Sequence, residues 1–160
     1  MSHSQQYCTF YLGDSYYGID VLRVQEIVRH HTLTRVPMAP TMVRGLINLR
    51  GQIVTAIDLR RRLGLPDRAE TLDSENLESV NIVLQTEEGA VSLLVDEIGD
   101  VLEVNEEQFA APPTTLQGAQ RDLILGAYKL PQQLLVILDP DKIVAVPLAA
   151  KSSPAASSLS

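Results

Sequence analysis

One stretch of the sequence decides the fold: Gly45-Leu46-Ile47-Asn48-Leu49-Arg50-Gly51-Gln52-Ile53-Val54-Thr55-Ala56-Ile57-Asp58. Two apolar runs flank the pair Arg50-Gly51, and glycine supplies the positive φ that a two-residue hairpin turn needs. The run from Ile53 to Ile57 is almost entirely apolar and β-branched, which predicts a strand covered on both faces. Arg50 is the only charged residue between Arg44 and Asp58. Taken alone, it is equally well interpreted as an exposed turn residue.

Composition places the chain among globular proteins. Its 160 residues are 45% hydrophobic and only 4% aromatic, without tryptophan, so aliphatic side chains must fill the core. The single cysteine, Cys8, excludes an internal disulfide and lies in a strand-like pattern, where a small core residue is expected instead of a reactive thiol. No secretion signal and no apolar run of about 20 residues is present, so a cytoplasmic protein is expected.

The charge is distributed unevenly along the chain. Residues 1–65 carry eight arginines and four acidic residues, a net +4, whereas residues 66–160 carry five basic and sixteen acidic residues, a net −11. An acidic chain with few aromatics argues against nucleic-acid binding. The asymmetry suits a protein that presents different faces to different protein partners, and it equally suits plain solubility.

The first half of the chain reads as short strands with brief helical turns. Asp20 is expected to cap a short helix over Val21–Val28, with a strand as the competing interpretation because valine and isoleucine are abundant there. Asp58 is expected to cap a helix over Leu59–Leu63 that ends at Gly64. The remaining predicted elements are a hairpin of Tyr7–Leu12 with Ser15–Ile19, a strand over Leu33–Val36 and a helical turn over Thr41–Val43.

Three consecutive arginines, Arg60, Arg61 and Arg62, lie on that predicted helix. A solvated face is the favoured interpretation, and a contact surface for an acidic partner is the alternative.

The second half has the same character. Strands are predicted over Val80–Gln85, Ala90–Val95, Gly99–Val104, Leu123–Leu130 and Gln133–Leu138, with Phe109–Gln120 as a loop. Asn105 is expected to cap a turn, and Asp139-Pro140 is expected to begin a last short helix.

A weak internal repeat predicts two similar lobes. Gly45–Leu49 aligns with Gly126–Leu130, and Gln52–Asp58 aligns with Gln133–Asp139. Short strands that curl to remove their edges form small barrels. The predicted boundaries are a first β-barrel subdomain over 7–65, a connection over 66–78, a second subdomain over 79–138 and a disordered tail over 147–160. Residues 139–146 are a candidate for packing back on the first subdomain.

Catalytic and metal-binding patterns are missing from the sequence. It has no phosphate-binding glycine loop and no serine framed as a nucleophile. The neighbours His30 and His31 point apart on a regular element and are better interpreted as a surface turn than as metal ligands. A non-enzymatic protein without metal or cofactor is therefore predicted.

The motifs Gly18-Ile19-Asp20-Val21-Leu22-Arg23-Val24-Gln25-Glu26-Ile27, then Gly45-Leu46-Ile47-Asn48-Leu49-Arg50-Gly51, and then Ile57-Asp58-Leu59-Arg60 resemble the CheW coupling proteins of bacterial chemotaxis. The resemblance covers about residues 7–146. It implies a mainly β fold of two SH3-like, five-stranded β-barrel subdomains with a few short helices, packed over a shared apolar core.

The resemblance also implies a function and a set of partners. It implies an adaptor at chemoreceptor arrays on the inner membrane, binding the receptors' cytoplasmic tip helices and the regulatory domain of the histidine kinase CheA, with rings of CheW-like copies as a further contact. The alternative is a CheW-like scaffold of another chemosensory-type pathway, such as pilus motility or second-messenger control. It implies neither nucleic-acid binding nor direct membrane insertion.

The same resemblance assigns a binding surface. Glu26 and Arg50 are expected to form a bidentate ion pair near a receptor-facing surface. If that pair is partly buried, Arg50→Ala is expected to lower the free energy of unfolding by about 3 kcal/mol. If Arg50 is an exposed turn residue, the loss is expected to stay below about 0.5 kcal/mol. The full set of expected receptor- and kinase-binding residues is Val24, Glu26, Gly45, Arg50, Gly51, Ile53 and Val54.

Overall fold

A computed structural model describes residues 4–29, 33–66, 80–87, 89–110 and 119–145 of the chain. Residues 67–78 of the predicted connection over 66–78, the histidines and the predicted tail over 147–160 lie outside these residues.

The described residues form strands joined by short turns and single helical turns. The β-strands are β1 Ser4–Leu12, β2 Ser15–Asp20, β3 Val24–Arg29, β4 Val43–Leu49, β5 Gln52–Asp58, β6 Val80–Thr86, β7 Gly89–Val95, β8 Glu97–Asn105, β9 Phe109–Ala110, β10 Ile124–Lys129 and β11 Leu134–Leu138. The α-helices are α1 Leu59–Arg62, α2 Ala119–Leu123 and α3 Pro140–Val144, and 3₁₀ turns occupy Val21–Arg23 and Glu106–Gln108.

The strands form two sheets, and the predicted fold class is confirmed: the protein is mainly β with two SH3-like subdomains. One sheet has five strands in the order β3-β6-β7-β5-β4, and the other has six in the order β8-β1-β2-β11-β10-β9. The sheets do not follow a division of the chain at 66–78. The hairpin β1–β2 joins the C-terminal strands, and the hairpin β6–β7 joins β3, β4 and β5.

The internal repeat corresponds to two matching hairpins, β4–β5 and β10–β11. In each hairpin the first strand is irregular next to a glycine, Gly45 in one and Gly126 in the other. In each, the second strand also pairs in parallel with a strand of another hairpin, β5 with β7 and β11 with β2. The repeated sequence therefore marks the repeated topological unit, and the glycines mark where each strand bends.

Three groups of buried apolar side chains hold the fold together. A shared core lies between the two sheets, and each sheet encloses a smaller core of its own. The largest fully buried side chains are Phe10, Ile19, Ile47, Ile57, Leu59, Leu63, Ile82, Leu84, Leu93, Leu135, Ile137 and Leu138. Because aromatics are scarce, aliphatic side chains from strands and helical turns make up most of this burial.

The predicted caps are present. Asp58 accepts a hydrogen bond from the Arg61 amide at the start of α1. Asp139 accepts from the amides of Asp141 and Lys142 at the start of α3. Asn105 forms a reciprocal capping box at the 3₁₀ turn that follows β8. A short polar side chain before a brief helical turn satisfies amides that have no partner within the turn.

Four predicted elements are corrected by the structure. The loop over Phe109–Gln120 begins with the strand β9, and its last residues start α2, which extends to Leu123, so the next strand begins at Ile124. The helix over Val21–Val28 is wrong, since only Val21–Arg23 forms a 3₁₀ turn and β3 follows. Half-buried and exposed side chains alternate along β3, so the strand interpretation was the right one. The predicted helical turn over Thr41–Val43 is a single hydrogen-bonded turn, in which the Val43 amide donates to the Pro40 carbonyl at 2.9 Å, and Val43 already begins β4. The strand over Leu33–Val36 is reduced to a single bridge between Thr34 and Leu46.

Candidate functional site

The turn between β4 and β5 holds Arg50 in an unusual backbone conformation. Arg50 has a φ of 53° and Gly51 a φ of 86°, the positive pair that a type I′ turn requires. The Asn48 side-chain oxygen accepts a hydrogen bond from the Gly51 amide at 2.9 Å and supports the turn. Sequence reasoning assigned the positive φ to the glycine alone. Glycine or asparagine normally occupies both positions, so the arginine is held where its side chain costs conformational energy.

The guanidinium of Arg50 forms the predicted ion pair with Glu26 of β3. Arg50 Nη1 donates to Glu26 Oε2 at 2.8 Å, and Nη2 donates to Oε1 at 2.5 Å. The contact is therefore bidentate, the geometry in which arginine binds a carboxylate most specifically. The Arg50 side chain is nevertheless 68% exposed and that of Glu26 is 24% exposed. The pair is thus a surface clamp and not a buried one.

This clamp joins the two edges of one sheet. β3 and β4 lie at opposite ends of the five-stranded order, and Arg50 directly follows β4. Contact between these elements means that the sheet curls until its edges meet. A second closure comes from Thr34 and Leu46, whose amides and carbonyls exchange two hydrogen bonds of 2.8 Å. The Glu26–Arg50 pair therefore helps to close the barrel, and it holds β3 and the β4–β5 turn side by side on one face of the protein.

The other expected binding residues divide into exposed and buried ones. Ile53 is 59% exposed, contrary to the prediction that the whole strand is covered, because β5 packs into the core only from Val54 onward. Val24 is half-buried against the shared core. Val54 and Gly45 are buried, and a Cβ at Gly45 would overlap the Thr34 carbonyl. We call the half-buried Glu26 and the exposed Arg50, Gly51 and Ile53 together the clamp face.

A groove of about 930 Å³ lies beside the clamp face. Ile53 lines it together with apolar side chains that include Ile57, Val91 and Val144. Its polar lining includes Arg23 and Asp141, whose Nη2 and Oδ1 atoms lie 2.7 Å apart. These two residues are 118 positions apart in the sequence, so their pairing could not be predicted from the local sequence pattern.

The ion pair between Arg23 and Asp141 shifts the pKa of both side chains. Its hydrogen bond lowers the pKa of the Asp141 carboxyl, and the same bond raises the pKa of the Arg23 guanidinium. The carboxylate is thus charged over a wider pH range than a free aspartate.

The structure corrects the prediction that the arginines of α1 form a solvated face. Arg60 forms an ion pair with Asp96 through two hydrogen bonds, and both side chains are largely buried, at 16% and 13% exposure. Arg62 donates to the backbone carbonyls of Lys142 and Ile143 at the end of α3. Because α1 follows β5 of the five-stranded sheet and α3 follows β11 of the other, the contacts of Arg62 tie the two sheets together, and Arg60 binds the residue at which the chain passes from β7 to β8.

Within the described residues no group of three or more histidine, cysteine, aspartate or glutamate side chains could hold a metal ion. Cys8 is buried, and burial raises the pKa of its thiol, which disfavours the reactive thiolate. No helix in the described ranges is long and apolar enough to span a bilayer.

Comparison with known proteins identifies relatives across nearly the whole chain. The family model described as CheW-like domain matches residues 6–147. The chain is 33% identical over 139 residues to chemotaxis protein CheW of Treponema pallidum, covering 86% of this chain and 81% of that protein. It is 34% identical over 140 residues to chemotaxis protein CheW of Klebsiella aerogenes, covering 88% and 81%.

A solved structure shares the fold as well as the sequence pattern. The crystal structure of the scaffolding protein TtCheW from Thermoanaerobacter tengcongensis superposes with a TM-score of 0.77 at 26% identity. The match covers 90% of this chain and 94% of the other.

Proposed function

The chain belongs to the CheW family of non-enzymatic chemotaxis scaffold proteins, and from this premise we propose that it couples chemoreceptors to the histidine kinase CheA. In this proposal the protein is cytoplasmic and sits in arrays of receptors, kinase and further CheW-like copies at the inner membrane. The protein itself catalyses no reaction in this proposal. Each contact instead favours one arrangement of the array, so the state of the receptor biases the activity of the kinase.

The receptor side of the proposal rests on the clamp face and the groove beside it. Ile53 offers an exposed apolar side chain, and the groove continues from it past the half-buried Val91. A helix that lays an apolar stripe into such a groove is a common mode of recognition. The Glu26–Arg50 pair borders this region and offers charged hydrogen-bonding groups at its edge. Val24, Gly45 and Val54 would act indirectly, by supporting the strands that carry the face.

The kinase side of the proposal uses the barrel that contains the clamp. By the family resemblance, the regulatory domain of CheA has the same kind of barrel, so the two would associate barrel to barrel. The same geometry would allow contacts between copies of this chain in rings. A modest affinity at each contact suffices, because many contacts act together within an array.

The observation that carries the proposal is the conformation of Arg50. A non-glycine residue at a φ of 53° is strained, and strained residues persist where the surrounding structure or function requires their side chain. The ion pair that Arg50 forms is largely exposed and contributes little stability. The arginine is therefore better explained by what it presents on the surface than by what it adds to the fold.

Co-sedimentation with receptor-containing membranes tests the proposal, with and without CheA. We expect the protein to sediment with receptor alone and more strongly with receptor and kinase together. Arg50→Ala should lose most of the receptor-dependent fraction, whereas the matched control Arg121→Ala removes an exposed arginine of α2 and should sediment like wild type. A folded Arg50→Ala variant with undiminished sedimentation would remove the clamp face from the receptor site. No sedimentation of wild type under any condition would refute the coupling function.

A further inference from the structure

Two grooves meet at the ion pair between Arg23 and Asp141. The larger, of about 930 Å³, contains Ile53 and Val91, and the smaller, of about 310 Å³, contains Leu125 among its lining residues. Arg23 and Asp141 line both grooves. The ion pair therefore lies at the boundary between the two grooves, and we call it the bridge and the two grooves together the depression.

This bridge is held by surface contacts only. The Arg23 side chain is 29% exposed and that of Asp141 is 73% exposed. Arg23 Nη2 also lies 3.3 Å from the carbonyl oxygen of Gln85, a weaker contact. Ion pairs with this exposure are weak and screened by salt, so a binding partner can separate the two side chains at small cost.

The charges around the depression favour a basic partner. Its described lining residues include four carboxylates and a single guanidinium, that of Arg23. The carboxylates are those of Asp20, Glu87, Asp139 and Asp141. The apolar floor between them is formed at the surface by Ile53, Val91 and Leu125, whereas the lining residues Ile57, Ile137 and Leu138 are almost fully buried. An apolar floor with an acidic rim is complementary to an amphipathic helix whose apolar stripe is flanked by lysine or arginine.

We propose that the Arg23–Asp141 pair is a gate across one continuous groove, opened when a basic residue of an incoming amphipathic helix takes Asp141 from Arg23. The proposal rests on the proposed function in that the helix would be supplied by a receptor. Beyond the proposed function, it specifies that the partner helix is basic and that the Arg23–Asp141 ion pair must break when the helix binds. With the gate open, the partner helix spans both grooves.

Two designed helical peptides test the charge of the partner. Both carry a leucine stripe, which is flanked by lysines in one and by glutamates in the other. Titration against the full-length protein should show binding of the lysine peptide that weakens as salt is added, and little binding of the glutamate peptide. Equal binding of the two peptides would refute the acidic-rim part of the proposal.

Substitutions on either side of the bridge test the gate. Arg23→Ala frees Asp141 and should tighten the lysine peptide by about two- to fivefold, the range of one surface ion pair. Arg23→Gln removes the charge while keeping a donor near Gln85, and it should tighten binding similarly. Asp141→Asn weakens the bridge but also removes the negative charge that the lysine of the peptide would bind, so it should weaken binding by a similar factor. Arg121→Ala is the matched control and should leave the affinity unchanged.

The outcomes separate this proposal from the coupling function. Unchanged or weaker binding by both Arg23 variants, with a wild-type denaturant midpoint, would refute the gate. Tightening by Asp141→Asn would refute the transfer of Asp141 to the partner. A soluble receptor-tip fragment run in parallel reports on the coupling function. If that fragment fails to bind while the peptides and variants behave as expected, the groove proposal stands and the receptor assignment falls.

Discussion

Substitution of Arg50 by glycine or by alanine separates backbone strain from the ion pair with Glu26. Both variants lose the guanidinium, and an ion pair of this exposure contributes about 0.2–1 kcal/mol to the free energy of unfolding. Alanine keeps a Cβ at the positive φ, whereas glycine relieves a cost of about 1 kcal/mol. Arg50→Ala should therefore be destabilised by about 0.5–1 kcal/mol, and Arg50→Gly should stay within about 0.5 kcal/mol of wild type.

Urea unfolding followed by circular dichroism measures both variants under the same conditions. The decisive quantity is the difference between them, about 1 kcal/mol in favour of glycine, because it isolates the backbone. A glycine variant less stable than the alanine variant would refute the strain argument. A loss near 3 kcal/mol in both would show that Glu26 behaves as a buried, unpaired charge, which its 24% exposure argues against.

Three further perturbations probe the structural contacts. Arg60→Ala should cost about 2–3 kcal/mol in urea unfolding, because it removes the guanidinium that pairs with the largely buried Asp96 while the Gly13 amide still donates to that carboxylate, and a loss below about 1 kcal/mol would contradict this. Gly45→Ala should cost about 2–3 kcal/mol in the same assay, since its methyl group would overlap the Thr34 carbonyl, and a neutral result would contradict the close approach. Burial raises the pKa of the Tyr7 hydroxyl, so above about pH 10 the unfolded chain loses this proton before the folded protein does, and the free energy of unfolding should fall as the pH rises further. Tyr7→Phe should make this dependence of the free energy of unfolding on pH less steep. An unchanged dependence would contradict the assignment to Tyr7.

Local patterns in the sequence predicted the hairpins and caps because those features depend on neighbouring residues. The turn at Arg50-Gly51 needs a positive φ, and a glycine with flanking apolar runs indicates it. Asp58 and Asp139 cap helical turns that begin within three residues of them. The repeat was visible for the same reason, since each copy is one hairpin followed by its cap.

Features set by distant pairing could not be predicted in this way. The segment after Asp20 has apolar residues that fit both a helix and a strand, and pairing of β3 with β6 decides between them. The exposure of Ile53 depends on which part of β5 is covered by the core. Likewise, the five-stranded sheet gathers strands from both sides of the predicted boundary at 66–78, an arrangement that no local signal encodes.

The chain's arginines show why a residue type does not reveal its role. Arg50 and Arg60 both pair with one carboxylate through two hydrogen bonds, yet the first pair is open to solvent and the second is nearly enclosed. The enclosed pair links α1 to the segment between the two sheets and stabilises their packing. The open pair contributes little to stability and holds a strained turn, so its side chain remains available to a partner. Sequence alone singled out Arg50 by its isolation and placed Arg60 in solvent, because burial is a property of the assembled barrels and not of the local segment.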